Sequence, residues 1–251
     1  MAASSHITMS NDLTQYESRT RRYYQDVEVA RRYAEEYRGP LTLRRIPTKV
    51  IAAREVSCVA AALKRCGDGL RRILDVPCGT GKLSALLYGH GRELLVGCDI
   101  SAEMLSIARD LSARAGQKEL LFTRADATAL PYADGSFDCV VCLRLLHRVP
   151  PPVRLAIVKE LARVSRHYLI VTFGRETTWQ KLRMRVRRIL TKSESCPFPA
   201  SKEEIRTLSI LGGMVAKEAW SVLPVLSAEV IMLLQKPDPC SQFSSAHEPI
   251  A

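Results

Sequence analysis

No stretch of this 251-residue chain approaches the roughly 20 uninterrupted apolar residues that cross a bilayer as a helix. The first residues, MAASSHITMSNDLTQ, carry no apolar run behind a basic start, so no secretory leader is expected. The expectation is a soluble, cytoplasmic protein. A zinc set is also missing. Cys139 and Cys142 form a C-x-x-C spacing, but no second Cys/His pair completes it, and a strand would turn the two thiols to opposite faces. No metal is expected. The full G-x-G-x-x-G fingerprint is absent, as is a Tyr-x-x-x-Lys pair after the fourth apolar run, which argues against a nicotinamide-dependent oxidoreductase. No RNA-binding module or aromatic stacking motif is present, so nucleic acid is not the expected partner. Internal repeats are absent too.

What the chain does contain suits one elaborated α/β domain, with 47% hydrophobic residues to build a core. Eight cysteines could suggest a disulfide framework. Cys78, Cys98, Cys139 and Cys142, however, lie in or beside apolar runs and read as reduced core thiols. The net charge of +11 favours anionic partners. Its basic residues concentrate at 19–45 and 175–192.

Short apolar runs at 73–76, 94–100, 120–123, 137–143 and 168–173 alternate with helical periodicity at about 82–90, 102–115 and 153–165. In the last of these, Val153, Ile157, Leu161 and Val164 form one stripe. This rhythm predicts parallel strands joined by right-handed crossovers. Its ending differs. A helix at about 201–212 opens on a Ser-x-x-Glu capping box at Ser201 and Glu204, and runs 214–222 and 227–235 are too close for a crossover. They should form an antiparallel hairpin at the sheet edge.

The run ILDVPCGTGKL (73–83) delivers a strand into a turn with Gly79 and Gly81, where backbone can approach a ligand and N–H groups at a helix start favour a polar or anionic group. The next strand ends in Asp99, 24 positions after Asp75, where a carboxylate can accept from two ribose hydroxyls. A third ends in Asp126-Ala127, and a fourth begins after DGSFD (134–138). These positions are expected at the carboxyl ends of strands, where open α/β sheets bind ligands.

With DVPCGTGKL (75–83), CDISAEMLSIAR (98–109), RADATALPYADGSFDCVVCLRLLHRV (124–149) and VSRHYLIVTF (164–173), the chain resembles the class I methyltransferases dependent on S-adenosylmethionine, of the ubiquinone/menaquinone type. The resemblance implies a doubly wound, Rossmann-like, seven-stranded mostly parallel sheet with an antiparallel C-terminal hairpin. It implies a methyltransferase domain at 70–236 behind a helical extension or lid (16–69), while the polar, non-periodic start (1–15) and the Ser-, Pro- and Gln-containing tail (237–251) are expected to be disordered from their composition. It implies Asp75, Gly79 and Gly81 around the methionine moiety of S-adenosylmethionine, Asp99 at the ribose, Met104 on the adenine face, Asp126 and Ala127 at the adenine edge, and Leu143 presenting backbone. Ordinary helix core is the alternative for Met104. Pro77 departs from the family's usual glycine and removes an N–H donor.

Tyr24 and Tyr33 either line the site as part of a lid or pack the helix on the sheet. His147 is the candidate base or acceptor-orienting residue, or else a histidine that stabilises its loop. The implied acceptor is a small molecule or lipid-like compound, such as a quinone precursor or an aromatic. Residues 179–192 separate Trp179, Leu182, Val186 and Ile189 from an arginine face. That segment could cover the acceptor pocket, contact an anionic membrane surface peripherally, or contact RNA. A non-catalytic S-adenosylmethionine-binding protein stays open as the alternative, with an RNA methyltransferase or a nicotinamide-dependent Rossmann oxidoreductase behind it.

Overall fold

A computed structural model describes residues 46–89, 92–117, 119–176, 198–223 and 228–237, together with Asp26, Glu28, Val29, Arg31, Arg32 and Glu35. Tyr24, Tyr33 and the segment 179–192 lie outside the described residues. From the N-terminal segment, Asp26 Oδ1 accepts the N–H groups of Glu28 (2.8 Å) and Val29 (3.2 Å), a helix-capping arrangement.

Seven strands alternate with helices. Helix α1 (Ile46–Cys66) precedes β1 (Arg72–Asp75); α2 (Ser84–Leu87), β2 (Leu94–Asp99), α3 (Ala102–Arg114), β3 (Leu120–Arg124) and β4 (Phe137–Cys142) follow. A 3₁₀ turn (Leu146–Arg148), α4 (Pro151–Val164), β5 (Ser165–Gly174), α5 (Lys202–Leu211), β6 (Val215–Ser221) and β7 (Glu229–Gln235) complete the order. The sheet runs β3-β2-β1-β4-β5-β7-β6. Its first five strands are parallel, and β7 pairs antiparallel with both β5 and β6. This is the doubly wound fold with the antiparallel hairpin expected from the spacing of the last two apolar runs.

Strand alternation divides the core between the two faces of the sheet. Leu74, Val140, Cys142 and Val171 pack with Ile157, Leu161 and Leu208 of α4 and α5, while Ile73, Cys139, Val141 and Ile170 pack with Val59, Ala62 and Leu63 of α1. Cys139 and Cys142 therefore face opposite layers. All six cysteines among the described residues are free thiols.

Three local expectations need correction. The helix read at 82–90 is a single turn, Ser84–Leu87. Residues 79–83 are still occupied by the turn that Gly79 and Gly81 build, and Tyr88 and Gly89 lie past the helix end. The capping box at α5 is half formed: Ser201 Oγ accepts the Glu204 N–H at 3.0 Å, but the Glu204 carboxylate is drawn away to Arg154. Asp138 stands at the amino end of β4, not at a carboxyl end. There it accepts the N–H groups of Arg71 and Arg72, both at 2.9 Å, so its role is to hold two strands together. Among the described residues no helix is long and apolar enough to cross a membrane.

Candidate cofactor site

Parallel order brings the ends of four strands to one edge. Asp75 ends β1, Asp99 ends β2, Asp126 lies just past β3 and Leu143 directly follows β4. Between the first two lies the Gly turn. Gly79 (φ 53°) and Gly81 (φ 74°) both adopt the left-handed backbone that side chains resist; at Gly81 a Cβ would meet its nearest neighbours at an ordinary 3.5 Å, so the backbone, not lack of space, requires glycine there. Cys78 N–H donates to Cys98 O (2.8 Å) and Val76 N–H to Val141 O (2.9 Å), which fix the two residues flanking Pro77 to β2 and β4.

The Asp99 carboxylate joins the two halves of this edge. Gly79 N–H donates to Oδ2 (2.8 Å) and Ser101 N–H to Oδ1 (3.0 Å). The helix cap of α3 is Ser101, whose Oγ accepts the Met104 N–H at 3.1 Å, so capping does not account for Asp99. Burial raises the Asp99 carboxyl, while the N–H groups of Ser101, Gly79 and Ile100 pull it back. Asp75 lacks such donors among the causes acting on it. Burial first, and the Asp99 charge second, push it up to about 8 against the pull of Lys82, so it is neutral at pH 7.

Other expected residues sit as follows. Met104 is buried on α3, Leu143 is buried with the α1 layer, and Asp126 and Ala127 are half-buried. Asp126 Oδ1 accepts the N–H (2.9 Å) and hydroxyl (2.8 Å) of Thr128, closing its own turn. The contribution expected from a helix start after the Gly turn falls away, because α2 has one turn and Gly81 and Ser84 N–H groups bond within the turn itself. Behind the turn lies an apolar cavity lined in part by Asp75, Cys78, Gly97 and Phe122. A Cβ at Gly97 would stand 2.9 Å from the Phe122 ring and 3.1 Å from Cys78 Sγ, so this glycine permits a close packing that the motif reading passed over.

His147 is fully buried, its Nε2 lying 3.7 Å from Glu229 Oε1. Burial holds the imidazole well below its ordinary value, and the charges of Arg148, Arg144 and Arg154 add to this. It is a neutral and weak base. Sequence reasoning also missed two buried charge groups. Glu55 pairs with Lys82 and Arg144, and Arg154 is wholly enclosed. One signal for Glu55 was available: it lies on the α1 stripe with Val59, Ala62 and Leu63, a carboxylate where an apolar residue belongs. Among the described residues no group of His, Cys, Asp and Glu could hold a metal ion.

The methyltransferase-domain family matches residues 73–167, the stretch that contains the Gly turn, Asp99 and β4. That methyltransferase domain takes in well under half of the chain. Within that domain the chain is 35% identical over 103 residues to a 27-O-demethylrifamycin SV methyltransferase of Amycolatopsis mediterranei, covering 41% of this chain and 36% of the relative. Similarity to a demethylmenaquinone methyltransferase of Beutenbergia cavernae is 40% over 95 residues, or 38% of this chain and 36% of the relative. The chain thus aligns with about a third of the length of these curated relatives. In fold, the methyltransferase domain and its flanking elements resemble a magnesium protoporphyrin IX methyltransferase from Synechocystis solved with bound SAH. The TM-score is 0.75 at 22% identity, covering 88% of this chain and all of that one.

Proposed function

We propose that this chain transfers a methyl group from S-adenosylmethionine to a small-molecule or lipid-like acceptor, such as a quinone precursor or an aromatic. The observation that carries the reading is the buried Asp99 carboxylate bonded to Gly79 of the turn, at the carboxyl edge of the sheet where this fold binds ligands. In this reading Asp99 accepts from the ribose hydroxyls, and Asp75, Gly79 and Gly81 surround the methionine moiety. Met104 covers one adenine face, Asp126 and Ala127 meet its edge, and Leu143 presents backbone. The quinone and rifamycin relatives support a small acceptor.

The reaction is an in-line displacement. An acceptor lone pair forms the bond to the methyl carbon while the carbon–sulfur bond breaks, its electron pair returning to sulfur and turning the sulfonium into a thioether. Because the donor is already activated, placing the nucleophile and excluding water supply most of the catalysis. His147 fits the role of stabilising its loop better than that of a base, since it is fully enclosed and binds protons weakly. Calorimetric titration with S-adenosylmethionine, followed by turnover on a metabolite panel, tests the function. Binding without turnover on any acceptor class would favour a non-catalytic binding protein, and absence of binding would reject the assignment.

Asp75 makes binding pH-dependent. Its folded value near 8 lies above the ordinary 3.8, so the stability it contributes is complete below about pH 4 and is lost as pH rises through about 8. A cationic ligand reverses the balance by favouring the carboxylate. S-adenosylmethionine affinity should therefore climb from about pH 6 to about pH 8, by at most about tenfold per unit, and level off where the ligand's own amine titrates. Titrations in two buffers of different ionisation heat should detect proton release on binding at neutral pH. Asp75→Asn should release less, and equal release would remove Asp75 from the site.

Peripheral membrane contact through 179–192 rests on the sequence pattern alone. It predicts sedimentation with anionic but not neutral vesicles at low salt, lost when Arg183, Arg185, Arg187 and Arg188 are changed to Glu, each worth about 1 kcal/mol near the surface. Absence of anionic-vesicle binding would leave the segment to the acceptor pocket.

A further inference from the structure

Glu55, in the middle of α1, has a side chain with no solvent exposure, yet it carries two ion pairs. Its Oε2 holds Lys82 Nζ, and its Oε1 accepts from Arg144 Nε at 2.6 Å. These partners come from the two loops that border the cofactor edge. Lys82 directly follows Gly81 of the turn, and Arg144 directly follows Leu143 at the end of β4. One carboxylate therefore fastens three separate parts of the chain.

Arg144 supplies a second observation. Its φ of 58° makes it the one residue other than glycine with a left-handed backbone among the described residues. A long side chain keeps that conformation only where its surroundings impose it, and such positions gather at functional sites. The ion pair to Glu55 is part of that imposition. Glu229, at the start of β7, also bears on the Glu55 carboxyl, and His147 stands behind Glu229 at 3.7 Å. Burial raises Glu55 to about 7, with Lys82 pulling it down and Glu229 pushing it up, so the carboxylate is charged above that pH.

We propose that Glu55 is a positioning residue for the methionine half of the cofactor: by holding Lys82 and Arg144 on one buried carboxylate, it sets the Gly turn against the end of β4. This rests on the reading that the Gly turn receives the methionine moiety and Asp99 the ribose. Glu55 touches neither cofactor nor acceptor in that arrangement. It acts through the turn and through the β4 end. A role confined to general stability would loosen both halves of the site together, whereas a positioning role separates them.

Titration of the full chain with S-adenosylhomocysteine and with adenosine, above pH 7 where Glu55 is ionised, tests this. Glu55→Gln keeps the shape and loses the charge. Its dissociation constant for S-adenosylhomocysteine should rise by about tenfold, the scale of a lost charge-assisted hydrogen bond, while that for adenosine stays within about twofold. Asp99→Ala should weaken both ligands and so calibrates the comparison. If Glu55→Gln fails to fold, Lys82→Gln makes the same comparison with Glu55 and Arg144 left in place, and about a threefold selective loss is expected. Unchanged binding of S-adenosylhomocysteine, or equal loss of both ligands, overturns the positioning role. A native chain that binds neither ligand overturns the methyltransferase reading instead, and the positioning role with it.

Discussion

Asp99→Ala is expected to weaken S-adenosylmethionine binding by about 1.5–3 kcal/mol, roughly 10- to 150-fold, the scale of losing hydrogen bonds to a charged acceptor. The same substitution should also cost stability. Gly79 and Ser101 both donate to this carboxylate, and alanine would leave two N–H groups at a buried position without their acceptor, each worth about 1–3 kcal/mol when unsatisfied. The two effects separate by measurement. Calorimetric titration well below the melting temperature reads affinity, and a melting curve without ligand reads stability. Asp99→Asn retains an oxygen for one of the two donors, so it should recover part of the stability and little of the affinity. A folded Asp99→Ala protein that binds the cofactor as tightly as the native chain would sink the assignment of β2 to the ribose.

The largest expected loss of stability comes from Arg154→Met. This guanidinium is fully enclosed, yet it donates to Leu146 O (2.7 Å), Val149 O (3.3 Å) and Phe198 O, and pairs with Glu204. It ties the loop after β4 to the residues that lead into α5. Methionine fills much of the volume but offers no donor, so three inward carbonyls lose their partner; breaking a buried charge group in this way costs about 3–5 kcal/mol. For a chain of this size that corresponds to a melting temperature lower by roughly 10 °C. Lysine should not rescue it. Its ammonium is a compact charge and cannot spread donors across carbonyls on several sides as the planar fork does. Denaturant unfolding that shows Arg154→Met as stable as the native chain would mean that the enclosed arginine contributes only packing.

Much of the site's frame could be read along the chain, because its signals are local. A strand that enters a turn with two glycines, and a second strand that ends in an acidic residue, are separated by a few tens of positions, and the crossover rule brings them side by side. The spacing of the last two apolar runs excluded a helix between them and so required the antiparallel hairpin. By contrast, the helix read at 82–90 failed because periodicity cannot show that glycines in left-handed backbone extend a turn through Leu83. Asp138 was read with the wrong end of its strand, since a strand's carboxylates look alike in sequence until the register is known. Its two bonds to Arg71 and Arg72 identify it as an inter-strand fastener.

The sequence by itself therefore determined the class of fold, the position of the Gly turn and the acid that follows it, since each depends on neighbours in the chain and on a handedness that all such sheets share. Only the tertiary structure decided which charges are buried and what they hold. Glu55 and Arg144 are 89 positions apart, and Arg154 and Glu204 are 50 apart. No periodicity joins residues at such distances. A charge leaves water only where partners from other elements converge on it, and that convergence exists only after the sheet and helices have packed.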